Sequence, residues 1–252
     1  PESLCISLCD RSTGIGAIGI VLIEQSLIAD AKMRMFNGDG SEGKMAGNCI
    51  RCVAKYLYDT GMVSKEEMEI ETASGVKKLK VYTSDNKVTF VSVDMGKADL
   101  NPASLPCTLE GEKIVNVPYT VGYKEYNITC LSVGNPHCVV FVPAVGVLDL
   151  DKIGPTFENA PMFPERVNTE FVRVVNKNTL KMRCYERGNG ETLACGTGAC
   201  AAVVAAVENG FCKKNEEIIV QAKGGDLIVR YTDDGVTLTG NARLVYTGEL
   251  EY

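Results

Sequence analysis

The sequence predicts an α/β protein of the α+β kind. It should have two pseudo-symmetric lobes, each a mainly antiparallel curved sheet or barrel around a central helix. Three observations lead there. Residues Glu186 to Cys200 hold Gly188, Gly190, Gly196 and Gly198 and run into Ala201-Ala202-Val203-Val204-Ala205-Ala206-Val207, a glycine-rich loop opening a buried helix. The same pattern stands earlier, from Asn37 to Cys52, and Glu42/Glu191, Gly47/Gly196, Gly61/Gly210, Ala73/Ala222, Gly75/Gly224 and Tyr82/Tyr231 are each 149 apart, with no gap needed. After each copy come three short strands, separated by hairpin signals. Two copies predict a duplicated domain rather than a solenoid. Its halves should present two helix N-termini, with Ala46 and Cys195 at equivalent places, to one cleft that addresses both faces of a carbon.

The elements are justified in chain order. Residues 1–9 carry Leu4, Ile6, Leu8 and Cys9, too short a piece to assign. Gly14-Ile15-Gly16-Ala17-Ile18-Gly19 precedes the apolar run Ile20–Ile23, read as a turn and a buried strand; a dinucleotide fingerprint would instead follow a strand and open a helix. Ala31, Met33 and Met35 alternate with Lys32 and Arg34, which predicts a half-buried strand ending at Asn37. A helix should run from about Asn48 to Thr60 and stop at Gly61. Strands are expected over 68–73, 78–83 and 87–93, and again over 217–222, 226–231 and 235–240. The link between halves is placed near residues 110–120, giving lobes of residues 1–118, with the last residues of the chain as a candidate addition, and 119–252. Further strands are read over 126–133, 138–142, after Phe171 and over 181–185.

Composition narrows the chemistry. The 252 residues carry a formal net charge of −6 with no basic stripe, which argues against nucleic acid as a partner. No apolar run approaches the eighteen or so residues of a membrane span, and no export leader is legible, so a cytoplasmic location is expected. Eleven cysteines, an odd number at irregular spacing, predict reduced thiols. Cys49-Ile50-Arg51-Cys52 has the spacing of a zinc or redox pair, but with no second pair and one histidine, no metal site is expected. Cys195 is the strongest candidate for chemistry. At a helix N-terminus, unpaired N–H groups and the helix dipole favour a thiolate, and the same groups can hold a carboxylate.

With these residues in view, the chain resembles the diaminopimelate epimerases, a family of cofactor-independent amino-acid racemases. The resemblance rests on Glu186-Arg187-Gly188, Glu191-Thr192-Leu193-Ala194-Cys195-Gly196-Thr197-Gly198, Gly134-Asn135-Pro136-His137, Arg166-Val167-Asn168 and Asn37 with Asp39-Gly40-Ser41-Glu42. It implies a small amino-acid substrate held between the lobes, with two cysteines, one per half, as base and acid. By position Cys195 is one of them. Asn37, Gly47, Asn48, Asn135, Asn168, Arg187, Gly196 and Thr197 would hold carboxylates and amines, and His137 and Glu186 would assist at the reacting carbon.

Three departures stand beside it. The family pattern has Cys where this chain has Ala46, and Asp where it has Ile18; the family's opening strand, with a Gly-Asn-Asp contact, has no counterpart after Pro1. The expectation is a Cys→Ala change at a catalytic position on a chain lacking its first strand, with a diverged relative as the alternative. Cys49, one helical turn from position 46, is displaced by about 5 Å and is a poor replacement. The expected activity is the interconversion of LL- and meso-diaminopimelate, impaired by Ala46. The rivals are a racemase of another amino acid such as histidine, and a binding module that captures an amino acid without turnover. Oligomeric state is open, with a homodimer as one option.

Overall fold

A computed structural model describes residues 1–43 and 45–250; Lys44, in the first glycine-rich loop, and Glu251 and Tyr252 lie outside the described residues. The chain divides into two compact units, Pro1–Asp94 with the segment from Thr239 onward, and Met95–Leu238. The division therefore falls earlier than the expected residue 118. That position lies inside a strand, Ile114–Val121, which is hairpinned to Lys124–Ser132 and so belongs with the second unit.

The first unit contains α1 (Glu2–Cys9), β1 (Gly19–Glu24), β2 (Ala31–Asn37), β3 (Glu42–Gly43), α2 (Gly47–Asp59), β4 (Glu67–Thr72), β5 (Gly75–Ser84) and β6 (Lys87–Gly96), whose last two residues count with the second unit. Its strand order is β1-β2-β4-β5-β6, with β3 beside β2. The piece left unassigned in the sequence is α1. Cys5 and Cys9, four residues apart, share one face and bury against Phe36 with Ile20 and Leu22. The Cys5 thiol also donates to the carbonyl of Asn37 at 3.0 Å. Strand β1 is half-buried along its length rather than buried, because β2 is its only strand partner among the described residues. Helix α2 buries Ile50, Val53, Ala54 and Leu57, a stripe at helical spacing, and Gly61 follows it at φ 77°.

The second unit contains β7 (Ile114–Val121), β8 (Lys124–Ser132), β9 (Pro136–Phe141), α3 (Leu150–Glu158), β10 (Asn168–Asn176), β11 (Thr179–Glu186), β12 (Gly190–Thr192), α4 (Gly196–Glu208), β13 (Glu217–Ala222), β14 (Gly225–Tyr231) and β15 (Val236–Asn241), whose residues from Thr239 count with the first unit. The order is β14-β13-β11-β10-β9-β8-β7. Helix α4 is enclosed, with every residue from Ala199 to Ala206 fully buried. Its Ala and Val side chains are small enough for strands to approach its backbone closely. A second helix was not anticipated: α3 contains Gly154 and Pro155, which disguise it as a loop. Glycine is required at 154, because a Cβ there would overlap the Tyr185 ring. No helix among the described residues is long and apolar enough to cross a membrane.

The duplication is legible in the topology. In both units an antiparallel pair (β1–β2, β10–β11) is followed by a parallel one (β2–β4, β11–β13) and an antiparallel hairpin (β4–β5, β13–β14). The helices keep the offset of 149, since Gly47–Asp59 and Gly196–Glu208 correspond end to end. The following hairpins do not: Thr72 pairs with Gly75 and Ala222 with Gly225, so Gly75 corresponds to Gly225 and not to Gly224. One residue is inserted in the second unit, in a connection where Asn215 takes φ 68°.

Each copy also carries an arginine clasp. The Nε and Nη2 of Arg34 donate to Glu42 at 2.7 and 3.0 Å, and those of Arg183 to Glu191 at 2.7 and 2.9 Å, each fastening a short strand to its neighbour. Glu191 also meets Lys223 at 2.6 Å. The Arg183 hydrogen bonds, against partial burial and with help from Lys223, hold its carboxyl at about 2. A carboxyl depressed on folding stabilises the protein above its ordinary value and loses that contribution as pH falls through the folded value. Glu191→Gln should therefore lower the urea midpoint at pH 7, and the gap to wild type should close between about pH 4.5 and pH 2. A gap independent of pH over that window would contradict this assignment.

Candidate active site

Strand β11 delivers Glu186 to a turn through Arg187-Gly188-Asn189, with Gly188 at φ 79°, and β12 returns with Gly190 opposite Glu186 and Thr192 opposite Cys184. The chain then reaches Cys195 in extended conformation, φ −112° and ψ 117°, as the N-cap of α4. An N-cap must supply an acceptor to the first turn, and here the acceptor is sulfur. The N–H of Gly198 donates to Cys195 Sγ at 3.3 Å, and the Thr197 hydroxyl lies 3.4 Å from it. The hydrogen bond from the Cys184 thiol pulls the Cys195 pKa below its ordinary value. Burial and the carboxylates of Glu186 and Glu170 oppose this, and His137 favours it.

His137, the expected assistant, is completely buried on β9. Its Nδ1 lies 2.8 Å from Glu170 Oε1 and its Nε2 2.9 Å from Asn135 Oδ1. Glu170 is opposite Val139 on β9 and opposite Cys184 on β11. Alternation then puts His137, Asn168, Glu170, Cys184 and Glu186 on one sheet face. Cys184 Sγ lies 3.4 Å from Glu170 Oε1 and shares its one S–H between that oxygen and the Cys195 sulfur, while Glu170 Oε2 is buried with no hydrogen-bond partner among the described residues. Burial works against charge on His137, but Glu170, with Cys195 and Glu186, outweighs it and the imidazole pKa lies above its ordinary value. Cys184 is pushed well up by its role as donor to Cys195 and by burial.

Glu170 and Cys184 were missed in the sequence. The available signal was polarity at alternate positions: Asn168 and Glu170 interrupt the apolar run of Val167, Phe171 and Val172. Glu170, Cys184 and Cys195 each bring a donor atom within 4.8 Å of the others, so a thiophilic cation would compete with their hydrogen bonds.

The remaining expected residues fall in two groups. In the second unit, Asn168 Oδ1 accepts from the backbone N–H of Arg187 at 3.0 Å, and Glu186 accepts from the Thr192 hydroxyl, so both are oriented at the turn. The Arg187 guanidinium donates to the carbonyl of Glu165 at 3.1 Å, not to a carboxylate. Gly196 and Thr197 open α4 beside the sulfur. In the first unit, Ala46 is the extended N-cap of α2, but its methyl offers no acceptor. Gly47 and Asn48 are tied to Arg51, whose Nη1 donates to the Gly47 carbonyl at 3.1 Å and Nη2 to Asn48 Oδ1 at 2.9 Å. Asn37 donates to Ser41 Oγ at 3.0 Å, and Ile18 is largely exposed. Burial, then Cys52, raises the Cys49 thiol above its ordinary value, the wrong direction for a substitute base.

The fold is that of a group of racemase-like structures. It is shared with a probable proline racemase from Agrobacterium radiobacter K84 (TM-score 0.68, 17% identity, 95% of this chain and 78% of that one) and a phenazine biosynthesis protein of the PhzF family from Enterococcus faecalis (TM-score 0.69, 14% identity, 100% and 88%). In sequence, residues 1–101 and 129–245 match the diaminopimelate epimerase family. Proteins named diaminopimelate epimerase from Acetivibrio thermocellus and Geobacillus sp. WCH70 are 47% and 48% identical over 253 and 258 residues, covering all of this chain and 90% and 91% of theirs. The chain belongs to the diaminopimelate epimerase family.

Gly198 tests the packing of the site. A Cβ there would stand 2.6 Å from Glu170 Oε1 and 3.2 Å from Cys195 Cβ. Gly198→Ala must displace the carboxylate from the start of α4. It should destabilise the protein by about 1–3 kcal/mol in chemical denaturation, outweighing the gain of up to about 1 kcal/mol in helix propensity. Unchanged or increased stability would show that the carboxylate does not pack there.

Proposed function

We propose that the protein acts at the α-carbon of diaminopimelate, on the LL/meso interconversion, with Cys195 as one of the two acid–base groups. The observation that carries this reading is the Cys195 sulfur at the N-cap of α4, in contact with the Gly198 N–H and favoured as a thiolate. The relatives named diaminopimelate epimerase support this choice of substrate.

In the proposed reaction the Cys195 thiolate takes the α-proton, and the electron pair left on carbon delocalises into the substrate carboxylate. Negative charge on that carboxylate rises as the proton leaves, so donors at a helix start and the Arg187 guanidinium stabilise the transition state more than the ground state. Gly196 and Thr197 would offer the N–H groups. Inversion then requires a proton on the opposite face from a second acid. The equivalence of positions 46 and 195 at the two helix N-caps supports giving that role to position 46, and alanine has no ionisable group. This form should be impaired in inversion while keeping one half of the chemistry.

The test is incubation with LL- and with meso-diaminopimelate in heavy water, following deuterium uptake and optical rotation together. Slow α-deuteration of one stereoisomer without inversion is expected, and Ala46→Cys should raise inversion by at least about 10²-fold, the scale of one acid–base catalyst. Full inversion by the protein with Ala46 would overturn the role of position 46. Binding without deuteration would favour the capture-only reading, and turnover of histidine in place of diaminopimelate would overturn the substrate.

A further inference from the structure

Glu170 has no part in the chemistry described so far, yet it is the most enclosed acid of the second unit, with no exposed surface. A carboxylate in that position is costly unless a positive charge is bound to it. One candidate stands within hydrogen-bond distance, His137 Nδ1 at 2.8 Å, and it is equally buried. The other side of the ring is informative. Nε2 faces Asn135 Oδ1, an acceptor, at 2.9 Å, so both ring nitrogens face acceptors and a proton on each satisfies both.

We propose that Glu170 is the positioning residue of this site: it keeps His137 as an imidazolium with both nitrogens donating, a fixed positive charge for the Cys195 thiolate. The inference rests on Cys195 being the thiol of the proposed reaction, although its test requires no turnover. Three further features agree. The same Oε1 lies 3.4 Å from Cys184 Sγ, whose one S–H is shared between that oxygen and the Cys195 sulfur, so Glu170 adjoins both His137 and Cys184. Gly198 leaves the space that Glu170 occupies beside the start of α4. A charged His137 faces the carboxyls of Glu170 and Glu186 and the Cys195 sulfur, and the positive end of α4 lies beside that sulfur. The groups facing His137 are Glu170, Cys195 and Glu186; those facing Glu170 are His137, Cys184, Cys195 and Cys138.

His137 is the only histidine in the chain, so its protonation can be read without assignment. The experiment is a ¹⁵N NMR titration of uniformly labelled protein from pH 5 to pH 9. At pH 7 both ring nitrogens should show protonated shifts. In Glu170→Gln, which keeps the shape and removes the charge, the midpoint should fall by at least about one pH unit, a tenfold change in the proton affinity. Glu170→Asp, with the charge kept, should lie between the two. A merely structural role would change stability and leave the ring protonation alone. A neutral tautomer in wild type at pH 7 overturns the proposal, and this result is available even if the variants do not fold. An unmoved midpoint in folded Glu170→Gln overturns it too. Failure to deuterate diaminopimelate would leave these spectra unchanged, so the two readings can fail separately.

Discussion

An α-helix begins with amide N–H groups that nothing inside the helix can accept, and the site depends on how α4 answers that demand. The acceptor is the sulfur of Cys195, at 3.3 Å from the Gly198 N–H. One contact thereby orients the sulfur, favours its negative charge and leaves the N–H groups beside it for an anion. The rest of the second unit serves this contact. The helix is built of Ala and Val so that the sheet can close around it, and the sheet face below brings Glu170, His137 and Cys184 behind the sulfur. Burial makes the arrangement strong in both directions, since each hydrogen bond is strengthened and each unpaired charge is penalised.

The two copies share a frame and differ in chemistry. At the offset of 149, Glu170, Cys184 and Glu186 correspond to Val21, Met35 and Asn37, and Cys195 to Ala46. The arginine clasp and the helix with its Gly after the C-cap are present twice, because they hold a hairpin and end a helix in either copy. The buried polar cluster is present once. A frame can tolerate that asymmetry, since a β-strand position facing a helix accepts Val or Met as readily as a paired acid, whereas the paired acid is useful only next to a partner.

Much of this was legible in the sequence, for physical reasons that differ by residue. Glycine and the apolar Ala/Val run are local signals, and they placed Cys195 at the start of α4. Alternation of Ala31, Met33 and Met35 with charged residues placed β2. The motif resemblance singled out His137, its partner Asn135 and Glu186, but not Glu170. Glu170 went unseen because its meaning is non-local: it lies 33 positions from His137 and meets it only through the parallel pairing of β9 and β10. Helix α3 was hidden by Gly154 and Pro155, and the glycine reflects the Tyr185 ring and not a loop. The one-residue insertion near Asn215 was invisible because adjacent glycines at 224 and 225 let an ungapped register look continuous.

The central claim is that Cys195 is poised as a thiolate in the free protein. It is tested most directly by brief alkylation with iodoacetamide across pH, with each cysteine peptide quantified by mass spectrometry. Cys195 should react with a midpoint below that of an ordinary thiol, while Cys184 and Cys138 stay unreacted to much higher pH. A Cys195 midpoint at or above that of an ordinary thiol would contradict it.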